Sequence, residues 1–318
     1  MARPEVNRRQ FLQALAGTTV AISASSLAGP LLSTASAKNA KLVPPGKIGI
    51  QLFTIRNLVS SLGFRAVFEE LARLGYKSVE FAGYTSPASP GLTIEGLRQL
   101  LDDNGLIGVG SHLSLNAFRN NLSLELDRAE ILGLSHIGTA NEPVSSGNRT
   151  VAGYQAVSAE FNVWGQAAAA RGIKWYQHNH QNEFRFANDN PSVRLYDVML
   201  AETDPRYVFF EMDIYWAHVG AHIAPGFVPV DYVIANKGRY PLFHAKDGRE
   251  RPDLTNGYEI VEFGAGDIDF TTFYQKVPAR GSYYSLYEQD NAPNTPADQG
   301  GTWGSTARSY EALDALRG

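Results

Sequence analysis

The chain of 318 residues contains no cysteine. This absence excludes disulfide bonds, a lipid-anchored cysteine and zinc sites built from thiolates. Any metal ion bound by this protein would therefore need nitrogen and oxygen ligands, which histidine, aspartate and glutamate side chains supply.

The chain also lacks an excess of basic charge, since its formal net charge is -4. The first 37 residues contribute +2 through Arg3, Arg8, Arg9 and Glu5, so the chain without them would carry -6. This acidic balance does not favour binding to a polyanion. We therefore expect no nucleic-acid partner.

Long apolar runs are missing everywhere except near the start of the chain. Arg8-Arg9 precede Phe11-Leu12 and an uncharged run over 14–37, and Ala35-Ser36-Ala37 provides the small residues of a signal-peptide cleavage site. The paired arginines resemble a twin-arginine export signal. We predict a cleavable signal peptide over 1–37, a linker over 38–46, export to the periplasm or the exterior, and no stable membrane insertion after cleavage. A Sec signal or an amphipathic anchor is the alternative.

From Lys47 onward, amphipathic segments that end at glycine alternate with short apolar runs. Gly75, Gly133 and Gly172 each stand at such a junction, where glycine can close a helix in the left-handed conformation. Eight predicted strands open near Ile48, Lys77, Leu106, Leu134, Ile173, Tyr207, Tyr240 and Ser282. Predicted helices cover 59–74, 93–104, 116–132, 152–171, 192–203, 229–236, 269–277 and 304–316. This α/β alternation predicts one (β/α)8 TIM barrel over 47–318.

Polar side chains follow four successive apolar runs in the second half of the chain. They are His178, Asn179, His180 and Glu183, then Asp213, then His244 and Lys246, and finally Glu288. Residues at the carboxyl ends of barrel strands converge on one mouth, and a buried carboxylate there needs a cation or hydrogen bonds. We therefore predict one site for a divalent metal ion, with Mn, Zn or Co as the candidates.

Five fragments, taken in order along the chain, carry a family resemblance. They are residues 176–184, 211–216, 243–247, 264–270 and 287–290. These fragments resemble the xylose-isomerase-like TIM barrel family, whose members are often called sugar phosphate isomerases or epimerases. The resemblance covers about residues 47–316. It implies that Asp213, His244 and Glu288 bind the metal ion, and that Glu288 also reaches the substrate proton.

The fifth strand differs from that of similar epimerases, which place a glutamate ligand near the position of His178. His178 and His180 share one strand face, and Glu183 begins the following loop, so each is a candidate for the fourth ligand. We predict His178. An imidazole bound to a metal ion cannot easily act as the second base of an epimerase, so elimination by a lyase or dehydratase is favoured.

The expected chemistry begins with abstraction of a proton next to a carbonyl group. Glu288, Glu183 and His180 are the candidate catalytic residues. The candidate substrate-binding residues are Lys246, His112, Trp216, Glu80 and Gln51. Glu80 and Gln51 could equally make structural hydrogen bonds, Trp216 could be packing, and Lys246 could be a solvated residue of the rim.

The sequence has no Gly-x-x-x-x-Gly-Lys phosphate cradle, and sugar phosphates are rare outside the inner membrane. We therefore expect an unphosphorylated sugar, keto-sugar or glycoside as substrate, and the resemblance favours elimination on 3-keto-glycosides. The alternatives are a sugar epimerase or ketose/aldose isomerase of the same family, a metal-free glycoside hydrolase using Glu183 and Glu288, and a non-catalytic sugar-binding protein. A homo-oligomer is compatible with the sequence.

Overall fold

The computed structural model describes residues 39–278 and 281–318. The predicted signal peptide, residues 1–37, lies outside the described residues, so the export signal stays a prediction. Across the two described ranges, no helix combines the length and the apolarity that crossing a membrane requires.

Eight parallel strands form the central sheet, as the glycine-punctuated pattern predicted. They are β1 (Ile48–Gln51), β2 (Ser78–Phe81), β3 (Ile107–Ser111), β4 (His136–Thr139), β5 (Lys174–His178), β8 (Val208–Asp213), β9 (Leu242–Ala245) and β12 (Tyr284–Tyr287). The hydrogen-bonded order is β3-β2-β1-β12-β9-β8-β5-β4. A parallel bridge between His112 and Gly138, just beyond β3, brings the two ends of the sheet together. The sheet is therefore a nearly closed barrel.

Nine α-helices surround or cap this barrel in the described ranges. They are α1 (Arg56–Leu74), α2 (Ile94–Asp103), α3 (Leu115–Leu132), α4 (Val151–Ala169), α5 (Leu195–Glu202), α6 (Ile214–Ile223), α7 (Pro229–Ala235), α8 (Phe270–Lys276) and α9 (Gly301–Ala315). Gly75 and Gly133 end α1 and α3 with φ values of 106° and 69°, which is the left-handed stop expected from sequence. Only α6 was not predicted, and it begins directly after Asp213.

Two antiparallel hairpins extend from the barrel and were also not predicted. The first pairs β6 (Phe186–Ala187) with β7 (Asn190–Arg194), and the second pairs β10 (Asp247–Glu250) with β11 (Tyr258–Val261). Both follow a barrel strand on the side where that strand ends. They therefore build up the same end of the barrel that carries the polar patches.

The hydrophobic core has two parts. The larger part lies between the sheet and the helices, and a small cluster fills the barrel interior. The interior cluster consists of Val109, Tyr176, Leu242 and Leu286, all fully buried.

Part of the predicted linker over 38–46 packs against the barrel. Leu42 and Val43 are fully buried, and the N–H of Leu42 donates to the carbonyl oxygen of Leu316 at 3.0 Å. Lys41 forms an ion pair with Asp314. This segment therefore belongs to the barrel domain, because its apolar residues are part of the core.

Candidate metal centre

The ends of four neighbouring strands bring together the four predicted metal ligands. His178 ends β5, Asp213 ends β8, His244 lies in β9 and Glu288 directly follows β12. One ligand atom from each of these four buried residues lies within 4.8 Å of the others. We call His178, Asp213, His244 and Glu288 the outer group.

Lys246 contributes a positively charged side chain to this end of the barrel. Its Nζ lies 2.8 Å from Glu288 Oε2, 3.2 Å from Asp213 Oδ2 and 3.2 Å from Asp290 Oδ2. The side chain is almost completely buried, so the reading of Lys246 as a solvated rim residue is wrong. These carboxylates outweigh the burial cost of the ammonium group and raise the pKa of Lys246.

A second group of potential ligands shares two histidines with the outer group. It consists of His112, His178, Glu211 and His244, again with ligand atoms within 4.8 Å of one another. We call this set the inner group. Glu211 was not among the predicted site residues, although it precedes Asp213 by two positions and therefore shares its strand face.

The predicted substrate-binding residues Glu80 and Gln51 lie below these groups and contact one another. Glu80 Oε2 accepts hydrogen bonds from Gln51 Nε2 at 2.7 Å and pairs with His244 Nε2 at 2.7 Å, while Glu80 Oε1 accepts the hydroxyl of Tyr176. Both residues are fully buried. These contacts favour the structural hydrogen-bonding interpretation over direct substrate contact.

Burial and charge together set the protonation of the outer group. Burial, opposed by Lys246 and His244, raises the pKa of Asp213 to about 7. For Glu288, burial raises the pKa, but Lys246 and His244 dominate and hold it well below its usual range. Burial and the neighbouring His244 lower the pKa of His178, which leaves its imidazole neutral and able to ligate a metal ion.

The donor chemistry of the outer group fits a divalent cation. Asp213 Oδ2 is buried and accepts no hydrogen bond, even though Lys246 Nζ is 3.2 Å away, because that approach lacks hydrogen-bond geometry. Two imidazoles and two carboxylates form a nitrogen and oxygen set of the kind that zinc, manganese and cobalt accept. A cation at this point would satisfy the open carboxylate oxygen, whose burial without a partner is costly.

A cavity of about 300 Å³ opens directly above the outer group. His178 and Glu288 form its floor, and His112, His180, Phe53 and Asn141 are among the residues of its wall. The cavity walls are therefore polar on several sides, as hydroxyl-bearing ligands require.

Two predicted residues, His180 and Trp216, lie at the rim of the site. The ring centroid of His180 is 4.9 Å from that of His178 and 5.6 Å from that of Trp216. Burial and the charge of Lys246 lower the pKa of His180 to about 4, so it is neutral at pH 7. Lys246 Nζ lies 5.3 Å from the ring centroid of Trp216. The indole therefore packs over the buried lysine.

Glu183 is not brought into either ligand group. Its carboxyl group is fully buried, and Oε2 accepts the backbone N–H of His180 at 3.0 Å. The charged neighbours that affect it are Glu142 and Arg149. Glu183 therefore orders the turn after β5 and belongs to neither ligand group, while its role as a base stays a prediction.

Fold and site together define a TIM barrel with a metal-type ligand group at the carboxyl ends of its strands. A family model described as the xylose isomerase-like TIM barrel matches residues 68–307. The chain belongs to this family. Its members are mostly enzymes, including isomerases, epimerases and dehydratases, and they often bind metal ions.

Solved structures with the same fold have low sequence identity to this chain. A sugar phosphate isomerase/epimerase from Parabacteroides distasonis is 22% identical, with a TM-score of 0.67 over 86% of this chain and 96% of its own. The IOLI protein, solved with a zinc atom bound, is 12% identical, with a TM-score of 0.62 over 85% and 98%.

A third similar structure is the probable 3-DHS dehydratase AsbF from Bacillus anthracis. It is 15% identical, with a TM-score of 0.57 over 76% of this chain and 92% of its own. A comparison with curated proteins finds no match. At these identities the structural matches establish the shared fold.

Proposed function

We propose that this protein is a divalent-metal-dependent enzyme that abstracts a proton next to a carbonyl group of an unphosphorylated sugar, keto-sugar or glycoside. Its favoured reaction is elimination, as by a lyase or dehydratase on a 3-keto-glycoside. The observation that carries the proposal is the convergence of His178, Asp213, His244 and Glu288 beneath an open polar cavity.

The outer group would hold the ion, which when bound supplies a Lewis acid for a carbonyl and a neighbouring hydroxyl oxygen. Lys246, held in place by Asp213 and Asp290, would hydrogen bond the substrate oxygen on which negative charge develops. Glu288 lines the cavity and is ionised, so it is the proposed base.

Elimination can be completed with one carboxylate. Glu288 takes the proton from the carbon next to the carbonyl, the C–H electron pair forms the new C=C bond, and the neighbouring C–O bond breaks. The protonated Glu288 then returns its proton to the leaving oxygen. The other carboxylate that lines the cavity, Asp290, is engaged by Lys246 through both oxygens at 3.2 and 3.3 Å. This arrangement supports a one-base reaction over a two-base epimerisation.

The cavity also supports an unphosphorylated substrate. Among the described residues, none of those that line it is lysine or arginine. Lys246 beneath it is already surrounded by three carboxylates, which leaves little positive charge for a phosphate group. Export by the twin-arginine route, which we propose from the first 37 residues, would agree with this substrate class.

Metal analysis and isotope exchange test the proposal together. The purified protein is expected to contain a stoichiometric divalent ion, and chelation should abolish turnover of a 3-keto-glycoside until Mn²⁺, Zn²⁺ or Co²⁺ is restored. In D2O, wild type should exchange the proton next to the carbonyl, and Glu288→Gln should exchange it at least about 10²-fold more slowly.

Glu125→Gln provides a matched control, since Glu125 is a buried glutamate on α3 that pairs with Arg128. It should exchange at the wild-type rate. Full activity of the metal-free protein would instead indicate a glycoside hydrolase. Exchange without elimination would indicate an epimerase or isomerase, and sugar binding without exchange would indicate a binding protein.

A further inference from the structure

Three imidazole nitrogens converge on one carboxylate oxygen in the barrel interior. Glu211 Oε2 lies 2.8 Å from His112 Nε2, 3.2 Å from His178 Nδ1 and 3.2 Å from His244 Nε2. Glu211 is fully buried in β8. An ionised carboxylate can only accept hydrogen bonds, so each of these nitrogens must present a proton to it.

Two of these three histidines, His178 and His244, turn their other ring nitrogens toward the carboxylates of the outer group. His178 Nε2 lies 4.0 Å from Asp213 Oδ2, and His244 Nδ1 lies 2.8 Å from Glu288 Oε2 and 3.8 Å from Asp213 Oδ2. His244 Nδ1 faces the ionised Glu288 and therefore carries a proton in the metal-free protein, which an incoming metal ion would displace. For the neutral His178, donation from Nδ1 to Glu211 leaves a lone pair on Nε2. That lone pair is what a metal ion requires.

We propose that Glu211 is a positioning residue that selects the outer group as the metal site. It accepts the protons on His178 Nδ1 and His244 Nε2, so His178 Nε2 and His244 Nδ1 are the nitrogens that would ligate the ion, the latter after releasing the proton that it donates to Glu288. This inference rests on the metal site in the proposed function.

Glu80 supports the arrangement from below. Its Oε2 is 2.7 Å from His244 Nε2, the same nitrogen that faces Glu211. The N–H of His244 Nε2 therefore faces two carboxylates, those of Glu80 and Glu211, and both can accept a hydrogen bond from it. Carboxylates that accept the second N–H of a ligating histidine fix its tautomer and ring orientation.

His112 distinguishes this arrangement from a metal ion in the inner group. If the inner group held the ion, His112 Nε2 would be a ligand, and its loss would remove one of four donors. In the proposed arrangement His112 only donates a third hydrogen bond to Glu211, with its Nδ1 at 3.3 Å from Gln51 Nε2. Loss of His112 should then leave the metal ligands unchanged.

Co²⁺ titration of the metal-depleted full-length protein, followed by visible absorption, provides the test. Glu211→Gln should weaken Co²⁺ binding about 10–100-fold, because the amide can donate to His178 Nδ1 and favour the wrong tautomer. His112→Asn should keep the wild-type Co²⁺ spectrum and an affinity within about threefold of wild type, since hydrogen-bond losses around a ligand are smaller than loss of a ligand. Glu125→Gln, the buried control, should bind Co²⁺ as wild type does.

NMR of the zinc-loaded wild type, labelled with ¹⁵N-histidine, gives a second readout that needs no variant to fold. It should show protonated Nδ1 on His178 and protonated Nε2 on His244. The opposite tautomers, unchanged Co²⁺ affinity in Glu211→Gln, or lost binding in His112→Asn would each overturn the proposal for Glu211. If wild type itself binds no ion, the proposed function fails instead.

Discussion

The buried carboxyl group of Glu183 should make the stability of this protein depend on pH in a way that one substitution removes. Oε2 of Glu183 accepts the N–H of His180, but Oε1 has no hydrogen-bond partner. Burial, reinforced by Glu142, raises the pKa of Glu183 from 4.5 to about 8. The hydroxyl of Tyr154 is another buried atom without a hydrogen-bond partner among the described residues, and it interacts electrostatically with Glu183. Ionisation of Glu183 therefore opposes folding.

The sign and size of the effect follow from this shift. Because the folded pKa is raised, the stabilising contribution of the protonated carboxyl is complete below about pH 4.5 and is lost as pH rises through about 8. Each pH unit in this window costs about 1.4 kcal/mol, with an upper limit of about 5 kcal/mol for the whole shift. Glu183→Gln retains an oxygen for the His180 N–H and cannot ionise. Its stability relative to wild type should rise between pH 5 and pH 8 and then level off.

Urea unfolding at pH 5, 6, 7, 8 and 9, with wild type and variant in identical buffers, measures this difference. Other titrating groups contribute equally to both proteins and cancel. Glu160→Gln is the control, since Glu160 pairs with Arg119 at the surface, and it should change stability by less than about 0.5 kcal/mol at every pH. A difference between Glu183→Gln and wild type that does not vary with pH would refute the reasoning.

Two further substitutions test the barrel wall and its buried cation. Gly138→Ala should lower the free energy of unfolding in urea by about 3 kcal/mol, because its Cβ would lie 2.2 Å from the carbonyl oxygen of Tyr176. Gly147→Ala is the control and should be nearly neutral, because its Cβ would meet no described atom within 4 Å. Equal effects of the two substitutions would contradict this packing argument. Lys246→Met should lower kcat/KM about 10²–10³-fold without lowering bound metal, measured by steady-state kinetics and metal analysis. Metal loss in that variant would show that Lys246 acts on the site rather than on the substrate.

The barrel and its outer group were predictable because their signals are local. Glycines such as Gly75 and Gly133 mark helix ends, and a short apolar run after each one marks the next strand. Once the strands are assigned, the direction of a parallel barrel places their carboxyl ends at one mouth. Asp213, His244 and Glu288 could therefore be grouped without any knowledge of distances.

Helix α6 and the packed segment at residues 40–46 were not predictable for the opposite reason. Five of the ten residues of α6 are buried and most of its side chains are apolar, so its sequence shows no polar face from which a helical period could be read. Leu42 and Val43 follow a stretch that resembles a leader. The burial of both residues and the hydrogen bond from Leu42 to the distant Leu316 show that they belong to the core. Burial that depends on residues far away in the sequence leaves no local sequence pattern.

Glu183 lies outside both ligand groups because sequence distance from a strand end does not determine the direction of a side chain. It lies five residues beyond His178, in a turn whose geometry directs the carboxyl group to the backbone of His180. Glu211 was overlooked for a related reason. A glutamate inside an apolar strand suggests no ligand by itself, but its alternation with Asp213 does place both carboxylates inside the barrel.

The histidine at position 178 also determines the charge of the outer group. A bound metal ion would displace the Nδ1 proton of His244 and leave both imidazoles neutral, so that Asp213 and Glu288 supply two negative charges, which match one divalent ion, while Lys246 is matched by Asp290. A glutamate at position 178 would add a third negative charge and remove the N–H that Glu211 receives from His178 at 3.2 Å. It would also place two buried carboxylates against each other, which is costly. His178 and Glu211 are therefore interdependent, and Glu288 is left as the ionised carboxylate at the cavity floor. This dependence is the physical reason to expect one-base elimination here.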